Sequence, residues 1–345
     1  MAGRELVCVT GAGGYLASWL VKFLLEKRYV VHGTVRDPCD DKNSHLKALE
    51  YASENLQLYK ADLLDYEGLY AAIEGCDGVF HVATPVSAPV ANPEVEIVEP
   101  AVVGARNVVN ACVKAKVKKV VVVSSVAAII RNPNWSKDHV LDEECWSSFD
   151  NSKPRTGWDW YDVSKTSAEQ EAVGYADRNE LNLVTVCPSL IIGPMLQPKI
   201  NSSSNFLLLL FGKSNLGEFY HSSSSSSSAA ANDDEQMDNE KIDFGSIGLV
   251  DVRDAAESLL LVYEKADARG RYICNSYVVR VEDVVEKMKK LYPNYNYPKS
   301  YNEDIAWPKL SSKKLQALGW TYRTLEDTII DSFNNYVDRG ELTKK

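Results

Sequence analysis

Short apolar runs alternate with longer amphipathic stretches along the first 190 residues. The apolar runs have the length and composition of buried strands, and the stretches between them have helical spacing. The predicted strands are Leu6–Thr10, Val30–Val35, Leu56–Tyr59, Gly78–Val82, Val120–Ser124 and Leu183–Cys187. The predicted helices are Tyr15–Lys27, Ser44–Ala52, Tyr66–Ile73, Val95–Ala115 and Trp158–Arg178. Because strands and helices alternate, we expect an α/β fold in which helices cover both faces of a parallel sheet.

The alternation weakens beyond that point. A short apolar helix is predicted at Phe206–Phe211, and the serine run Ser222–Ser228 follows it. Such a polar stretch cannot bury apolar surface, so we predict a disordered surface insertion at about 221–241. Regular elements return as a strand at Ile247–Val252 and as helices near Asp254–Lys265, Val281–Leu291, Ser311–Leu318 and Leu325–Arg339. We therefore expect a Rossmann-type doubly wound domain over 1–190 and a smaller C-terminal α/β lobe over 191–345.

The composition is that of an ordinary globular protein. The 345 residues are 45% hydrophobic and 25% charged, and the formal net charge is −10. This acidic balance disfavours nucleic acid and anionic membranes as partners, because both attract basic surfaces. No apolar run approaches the roughly 18 residues of a transmembrane helix, and the N-terminus lacks the pattern of a signal peptide. Seven cysteines without a C-x-x-C pair predict free thiols and a cytoplasmic location.

A glycine-rich turn follows the first predicted strand directly. Its spacing is G-x-x-G-x-x-A, with Leu16 where a strict G-x-G-x-x-G would have its last glycine. Glycines permit a tight turn and a close approach of backbone to a pyrophosphate, and the next helix directs free N–H groups at it. The turn therefore predicts a dinucleotide site. Its candidate contacts are Gly11, Gly13, Gly14, Tyr15 and Leu16.

Two basic residues follow the second predicted strand. An acidic residue at this place binds the ribose hydroxyls of NAD, whereas an arginine accommodates the 2′-phosphate of NADP. Arg36 can stack on adenine and pair with the phosphate, and Lys42 adds a second positive charge. Asp37 is the contrary signal, one position later. The pattern predicts NADP as the cofactor.

Tyr161 and Lys165 form a Tyr-x-x-x-Lys pair within a predicted helix, where residues four apart share one face. Reduction of a carbonyl needs a proton for the developing alkoxide, and a positioned tyrosine can supply it. The Lys165 ammonium and an oxidised nicotinamide should lower the pKa of Tyr161 below its usual value of about 10. Ser124 and Ser125 follow a predicted strand at the sheet edge where ligands of such folds bind, and either could donate to the substrate oxygen.

Two further polar residues have simpler interpretations. His81 lies inside an apolar strand, and we expect a buried, hydrogen-bonded histidine rather than a catalytic base. Arg253 leaves two alternatives open. It binds an anionic group of the substrate, or it pairs with a neighbouring aspartate.

With these residues the chain resembles the plant extended short-chain dehydrogenases that include cinnamoyl-CoA reductases and dihydroflavonol 4-reductases. The resemblance spans nearly the whole chain. The matching stretches are Val9–Tyr15, Gly33–Pro38, Ala61–Leu63, Phe80–Pro85, Val123–Ser125, Asp142–Trp146, Tyr161 with Lys165, Ala168–Gln170, Pro188–Pro194, Val250–Asp254 and Gly270–Tyr272. Around Tyr161, the ending Val163-Ser164-Lys165 is similar to the dihydroflavonol type rather than to the lignin-type cinnamoyl-CoA reductases.

The resemblance implies a role for each matching site residue. Ser125, rather than Ser124, polarises the carbonyl, Tyr161 donates the proton, and Lys165 is its partner. The implied cofactor contacts are Arg36 and Lys42 at the 2′-phosphate, Asp62 and Leu63 beside adenine, Ala83 and Thr84 along the adenosine–pyrophosphate path, Tyr161 and Lys165 at the nicotinamide ribose, Pro188 and Leu190 at the nicotinamide, and Ser203 as a weaker contact.

The resemblance further implies an NADPH-dependent reductase of plant specialised metabolism. The substrate stays open among a CoA thioester, a ketone and an aldehyde. Under this hypothesis residues 1–190 bind NADP, and residues 191–345 mainly bind the small-molecule carbonyl substrate. One alternative is an NAD-dependent nucleotide-sugar epimerase or dehydratase, against which Arg36 argues. Another is a non-catalytic dinucleotide-binding sensor, which would usually lack Tyr161 or Lys165. Neither a metal-ligand cluster nor an obligatory protein partner is evident in the sequence.

Overall fold

The computed structural model describes residues 4–84, 90–136, 138–149, 157–213, 241–242 and 245–345. Ser222–Ser228 lies outside these ranges, so the disorder of the insertion stays a prediction. The strands of the described residues are β1 (Leu6–Thr10), β2 (Val30–Val35), β3 (Leu56–Lys60), β4 (Gly78–His81), β5 (Lys119–Val123), β6 (Val140–Leu141), β7 (Leu183–Pro188), β8 (Leu190–Ile192), β9 (Lys241–Ile242), β10 (Ser246–Asp251), β11 (Gly270–Cys274), β12 (Tyr277–Arg280), β13 (Ser300–Tyr301) and β14 (Lys309–Leu310).

The α-helices are α1 (Tyr15–Glu26), α2 (Ser44–Lys47), α3 (Ala52–Asn55), α4 (Tyr66–Ile73), α5 (Glu99–Ala115), α6 (Gly157–Arg178), α7 (Ser202–Leu210), α8 (Val252–Glu264), α9 (Val281–Leu291), α10 (Lys313–Ala317) and α11 (Leu325–Asp338). None of the helices in the described part of the chain is both long and apolar enough to cross a membrane.

Seven strands form one parallel sheet in the order β11-β7-β5-β4-β1-β2-β3. This sheet confirms the predicted doubly wound α/β fold. The chain order reverses between β1 and β4, and ligands of open α/β sheets bind beside such a reversal, outside the carboxyl ends of the strands. The edge strand β11 was not predicted, and it joins the sheet by pairing with β7 through Cys274 opposite Pro188.

Alternate residues of each central strand enter cores on opposite faces of the sheet. Val7 and Val9 pack with residues of α1 and α8, whereas Cys8 between them packs with residues of α4, α5 and α6. All three side chains are fully buried. Both faces are therefore covered, which explains why the central strands are apolar almost throughout. The carboxyl edge of the sheet is left for polar residues and for the turns that follow the strands.

A second, smaller sheet has the order β12-β10-β8, with β10 antiparallel to β12 and parallel to β8. Its apolar side chains share a core with α7, α9 and α11, in which Phe206, Val285 and Tyr336 are buried. Two further pairs of short strands, β13-β9 and β14-β6, lie within the described residues. The proposed boundary at residue 190 stays a prediction.

Two predicted helices differ from the structure. The helix predicted at Ser44–Ala52 is wrong as one element, because Tyr51 has a left-handed φ of +65° and separates two short helices. A residue with left-handed backbone cannot lie inside a right-handed helix, so the two short helices, which end at Lys47 and begin at Ala52, are not continuous. The helix predicted at Val95–Ala115 begins instead with a wider π-helical turn at Glu94–Val98 before α5.

Candidate active site

The glycine turn after β1 lies tightly against its neighbours. Gly11 has a φ of +65°, and its N–H donates to the Thr34 hydroxyl at 3.0 Å. A Cβ at Gly11 would lie 2.9 Å from the Cβ of Ala83, and one at Gly13 would lie 2.8 Å from the amide oxygen of Asn43. Both contacts are closer than real Cβ atoms tolerate. The turn therefore needs glycine at Gly11 for its backbone conformation as well as for space, whereas a side chain at Gly13 would require the Asn43 side chain to move.

Helix α1 begins directly after this turn, and no side chain caps its first N–H groups. Gly14, at the N-cap, has no side chain to offer them. The Tyr15 hydroxyl donates to the Gly193 carbonyl at 2.8 Å, and the Leu16 side chain is buried. Leu16 can therefore contact a cofactor only through its backbone, whereas the half-buried Tyr15 has its hydroxyl proton engaged by Gly193. Free N–H groups at the positive end of a helix are suited to a phosphate.

The two basic residues after β2 lie at the surface. Lys42 forms an ion pair with Asp40 at 2.5 Å, and this partner lowers the pKa of the Asp40 carboxyl. The carboxylate of Asp37, the contrary signal in the sequence, accepts from the Cys39 N–H at 2.9 Å. Asp37 therefore stabilises its own turn, whereas the Arg36 side chain is exposed beside the end of the strand.

The turn after β3 places Asp62 and Leu63 at the same edge. The Asp62 carboxylate accepts from the Leu64 N–H at 3.0 Å within that turn. Leu63 packs against Gly104 of α5, and a Cβ added at Gly104 would lie 2.9 Å from the Cβ of Leu63. Its carbonyl accepts from the Asn107 side chain at 2.9 Å. The loop is thus anchored to the helix layer and exposes the Asp62 side chain.

The end of β4 connects the nucleotide turn with the catalytic helix. The Ala83 N–H donates to the Thr10 hydroxyl at 3.1 Å, and the same hydroxyl contacts His81 at 3.0 Å. Thr84 accepts a hydrogen bond from the Lys165 ammonium at 3.0 Å. Burial, with Lys165 as a second cause, lowers the pKa of His81 to about 3. His81 is therefore a neutral, hydrogen-bonded histidine, as the sequence predicted.

The other predicted nicotinamide contacts lie where the two sheets meet. Pro188 ends β7, and Leu190 begins β8 opposite Leu249. Ser203 lies on a different element, the first turn of α7, where its hydroxyl accepts from the Asn201 side chain at 2.7 Å.

The two serines after β5 have different partners. Ser124 donates to the carboxylate of Glu169 at 2.6 Å in a buried contact. Ser125 accepts from the Ala127 N–H at 3.1 Å and is hydrogen-bonded to the Tyr161 side chain. The sequence left both serines eligible, and the geometry favours Ser125 beside Tyr161.

Tyr161 and Lys165 lie one turn apart on α6, with the lysine nitrogen 6.0 Å from the centre of the tyrosine ring. Burial raises the pKa of Tyr161 to about 12, with a smaller lowering by the Ser125 hydrogen bond and a raising by Asp162. The expected lowering of the Tyr161 pKa by Lys165 is wrong for the protein itself, because burial is the largest influence on this phenol and Ser125, not Lys165, is the group that lowers its pKa. The phenol is consequently a proton donor at neutral pH.

Lys165 is itself buried beside a small cavity of about 20 Å³, which has room for about one water. Burial lowers its pKa to about 8, and the nearby Glu169 carboxylate acts in the opposite direction. At pH 7 the amine therefore stays mostly protonated. A charged lysine next to a buried phenol can stabilise the phenolate that remains after proton transfer.

Sequence reasoning missed an ion pair next to Tyr161. Asp162 is buried and accepts from the Arg131 guanidinium at 2.8 Å. Burial raises the pKa of Asp162 to about 7, although Arg131 opposes the shift. The sequence feature that could have indicated this pair is Asp162 itself, an acidic residue directly after Tyr161 on the predicted helix.

Arg253 has a structural role in the described residues. Its guanidinium pairs with Asp251 at 2.7 Å and with Asp331 at 2.6 Å. Of the two alternatives left open by the sequence, these contacts support pairing with neighbouring aspartates.

Comparisons with known proteins agree on the architecture. Residues 7–275 match the model of the NAD dependent epimerase/dehydratase family. Cinnamoyl-CoA reductase 1 of Petunia hybrida is 41% identical over 98% of this chain and 94% of its own. Vestitone reductase of alfalfa (Medicago sativa) superposes with a TM-score of 0.78 and 32% identity, covering 98% of this chain and all of the other. Gre2 of Candida albicans, in complex with NADPH, superposes with a TM-score of 0.78 and 25% identity over 97% and 99% of the two chains.

Proposed function

The chain belongs to the NAD dependent epimerase/dehydratase family, and we propose that it is an NADPH-dependent reductase of a small carbonyl compound in plant specialised metabolism. The observation that carries this proposal is the contact of Ser125 with Tyr161, one helical turn from Lys165. All three lie at the carboxyl edge of the sheet, next to the glycine turn. The plant relatives with the same architecture are themselves named as reductases.

The residues around the turn suit NADP. The uncapped start of α1 supplies N–H groups for the pyrophosphate, and the tight Gly11 turn lets backbone approach it. Exposed Arg36 can pair with a 2′-phosphate, and Lys42 can exchange its Asp40 partner for the same group. Asp37, occupied in its own turn, is poorly placed to select the free ribose hydroxyls of NAD. The NADPH complex of the Candida relative is in agreement.

NADPH, when bound, supplies the hydride that the carbonyl carbon accepts. In this proposal Tyr161 delivers its phenolic proton to the carbonyl oxygen, so that the carbonyl becomes an alcohol. The Ser125 hydroxyl donates to the same oxygen as negative charge develops on it. The Lys165 ammonium, directed by Thr84, stabilises the phenolate left on Tyr161. A raised Tyr161 pKa suits this direction, because the residue must start protonated.

We also propose the two functional regions that the sequence predicts, one for the cofactor and one for the substrate. Residues 1–190 bind the cofactor, and residues 191–345 mainly shape the substrate side, although β11 returns to the large sheet. The substrate class stays open among a CoA thioester, a ketone and an aldehyde. A cytoplasmic enzyme is in keeping with the seven free cysteines.

The test is a screen of NADPH consumption with cinnamoyl-CoA, dihydroflavonols and simple aldehydes and ketones measured side by side. We expect turnover with at least one of these classes and its loss in Tyr161→Phe. Purified protein that retains NAD, shows no NADPH turnover and converts a nucleotide sugar would overturn the proposal in favour of an epimerase or dehydratase.

A further inference from the structure

Two buried polar side chains lie side by side where the two sheets meet. Ser189 follows the last residue of β7 and is 5% exposed, and Asn275 follows the last residue of β11 and is 7% exposed. The Ser189 hydroxyl and the Asn275 amide oxygen have no hydrogen-bond partner among the residues that the structure describes. Because nearly all buried polar groups of folded proteins are paired, these two atoms require an explanation.

The strand register places both side chains in one row with the proposed catalytic serine. Continued by two residues, the pairing of β5 with β7 puts Ser125 level with Pro188. The pairing of β7 with β11, continued by one residue, puts Ser189 level with Asn275, and the Ser189 N–H donates to the Cys274 carbonyl at 3.1 Å. Because adjacent strands are about 4.8 Å apart, Ser189 and Asn275 lie about one and two strand spacings from Ser125, on the side away from the glycine turn.

Both side chains lie on the face of the sheet that α6 covers. Thr185 of β7 and Arg271 of β11 donate to the Glu169 carboxylate of α6, at 2.7 and 2.8 Å. Alternate residues of a strand share a face. Ser189 and Asn275 each follow one of these two donors by four residues. They therefore point to the same face as the donors, further towards the carboxyl edge.

The catalytic helix brings Tyr161 to the level of this pair. Helix α6 ends five residues before β7 begins, so its first half lies towards the carboxyl edge of the sheet. Eight helical residues from Glu169 back to Tyr161 span about 12 Å. Four strand residues from the donors to Glu169 onward to Ser189 and Asn275 span about 13 Å. The Tyr161 phenol, which contacts Ser125, is therefore level with the unpartnered pair.

Uncharged groups adjoin the Asn275 amide oxygen. A Cβ added at Gly248 would lie 2.8 Å from that oxygen and 2.9 Å from the Trp307 ring, so both adjoin the glycine. Trp307 packs against the apolar cluster that contains Val126, the residue after Ser125. The backbone of Asn275 is held by other contacts, with its N–H and its carbonyl both bonded to the same serine hydroxyl of the chain. The amide side chain is thus free to serve a ligand.

We propose that Ser189 and Asn275 form a subsite for a hydroxyl group of the substrate, on the far side of the reacting carbonyl from the cofactor. This inference rests on the proposed reductase function. An amide oxygen only accepts hydrogen bonds, whereas a serine hydroxyl also donates one. Between two groups about one strand spacing apart, a substrate hydroxyl can donate to Asn275 and accept from Ser189 in bonds of about 2.7 Å.

Other polar groups fit the pair less well. A carbonyl or ether oxygen has no hydrogen to donate to the Asn275 oxygen, and an ammonium has no lone pair to accept from Ser189. A carboxylate would meet the partial negative charge of the amide oxygen. A buried water is the competing occupant, because it too can donate to one group and accept from the other.

The experiment uses the full chain and three matched ketones, which are benzylideneacetone and its para-hydroxy and para-methoxy derivatives. The three differ only at the end of the molecule remote from the carbonyl. The methoxy oxygen can accept a hydrogen bond but cannot donate one. A hydroxyl subsite therefore separates the para-hydroxy ketone from both others, whereas a resident water leaves the three alike.

Asn275→Ala and Ser189→Ala remove the two sides of the subsite. Neither atom has a partner to lose within the described part of the chain, so we expect both variants to fold. Ser276→Ala is the matched control. The Ser276 hydroxyl is also buried without a partner among the described residues, but Ser276 is the next residue along the chain and is out of the alternation.

The first readout is kcat/KM for each ketone with NADPH. The parent should prefer the para-hydroxy ketone to the other two by about 10- to 100-fold, the effect of two neutral hydrogen bonds. Asn275→Ala should reduce this preference to less than about threefold while changing kcat/KM for the unsubstituted ketone less than about twofold, because only the hydroxyl loses a partner. Ser276→Ala should keep the preference. A parent without the preference, or a preference that survives Asn275→Ala, would overturn the subsite.

The dissociation constant of NADPH distinguishes the two sides of the subsite from the cofactor site. It should be the same in the parent, in Asn275→Ala and in Ser189→Ala. Weaker NADPH binding in Ser189→Ala, together with an unchanged preference among the ketones, would overturn the role of Ser189 and assign it to the cofactor.

The second readout separates this inference from the proposed function. Calorimetric titration of the three ketones into the complex with NADP⁺ measures binding without turnover. If no ketone is reduced but the para-hydroxy ketone binds most tightly and loses this advantage in Asn275→Ala, the reductase proposal fails and the subsite stands. If the ketones are reduced without any preference for the hydroxyl, the subsite fails alone. Failure of all three ketones to bind would also overturn the subsite.

Discussion

Ser124 donates a hydrogen bond to Glu169 at 2.6 Å, and this contact separates the tasks of two adjacent serines. The Ser124 hydroxyl is committed to a buried carboxylate that anchors the catalytic helix. The next residue, Ser125, is left to contact Tyr161. Two identical side chains at the end of one strand thus have different consequences when they are removed.

Ser125→Ala should lower kcat about 10²–10³-fold, because a donor to the developing oxyanion is lost, while the unfolding free energy changes little. Ser124→Ala should instead lower the unfolding free energy by about 1–3 kcal/mol, because the buried Glu169 carboxylate loses a hydrogen-bond donor. It should change kcat less than about tenfold. Steady-state kinetics and urea unfolding of both variants make the comparison. A larger loss of kcat in Ser124→Ala would reverse the assignment.

Tyr161→Phe should lower kcat about 10²–10⁴-fold, because the proton donor is removed while the ring is kept. The dissociation constant of NADPH should stay close to that of the parent, since no cofactor charge is neutralised by the phenol. Single-turnover NADPH oxidation and a fluorescence titration measure the two quantities. Undiminished oxidation across the whole aldehyde and ketone panel would favour the non-catalytic sensor.

Arg36→Glu should weaken NADPH binding about 10- to 150-fold, the equivalent of a charge-assisted hydrogen bond worth about 1.5–3 kcal/mol. Binding of NADH, which has no 2′-phosphate, should change little or improve. Titration of both cofactors into parent and variant gives the ratio. Equal losses of affinity for NADPH and NADH would contradict the assignment of Arg36 to the 2′-phosphate.

Gly11→Ala should be strongly destabilising and should weaken cofactor binding. Alanine at a φ of +65° costs about 1–2 kcal/mol, and its Cβ would also lie 2.9 Å from that of Ala83. Gly75→Ala is the matched control, because Gly75 has a φ of +80° and no neighbour within 4 Å of the added Cβ. Urea unfolding should therefore show a distinctly larger loss at Gly11, and similar losses would remove the steric argument.

Asp162→Asn should change how stability depends on pH. Burial raises the pKa of Asp162 to about 7 in the folded protein, whereas the unfolded chain loses this proton near pH 4. The parent therefore loses stability from this group as the pH rises from about 4 to about 7, and no more above that range. The unfolding free energy of the variant relative to the parent should rise through the same window, by up to about 4 kcal/mol.

E171Q is the control of opposite sign for that measurement. Its Arg106 partner lowers the pKa of the Glu171 carboxyl, so the parent gains stability from this group above its unfolded pKa. The difference, variant minus parent, should then fall slightly as the pH rises toward about 4.3, the pKa of an unfolded glutamate, and stay flat above it. A flat difference for Asp162→Asn would mean that the carboxyl is charged throughout the range.

Local patterns predicted much of the fold and of the cofactor turn. Strands β1 and β2 have the predicted bounds because the apolar runs Leu6–Thr10 and Val30–Val35 leave little choice of structure. The short strand β11 was missed because Gly270–Cys274 is a brief run without a clear alternation. It is a strand because an edge of the sheet was available beside β7.

The sequence by itself determined the residues whose role depends on near neighbours. Gly11 precedes a helix, and Tyr161 and Lys165 share one helix face, because turns and helical spacing are local properties. The tertiary structure decided the rest. Arg271 lies 102 positions from Glu169 and meets it only after β11 joins the sheet. The pKa of Tyr161 rises rather than falls because burial, the larger cause, is a property of the packed molecule and not of the spacing to Lys165.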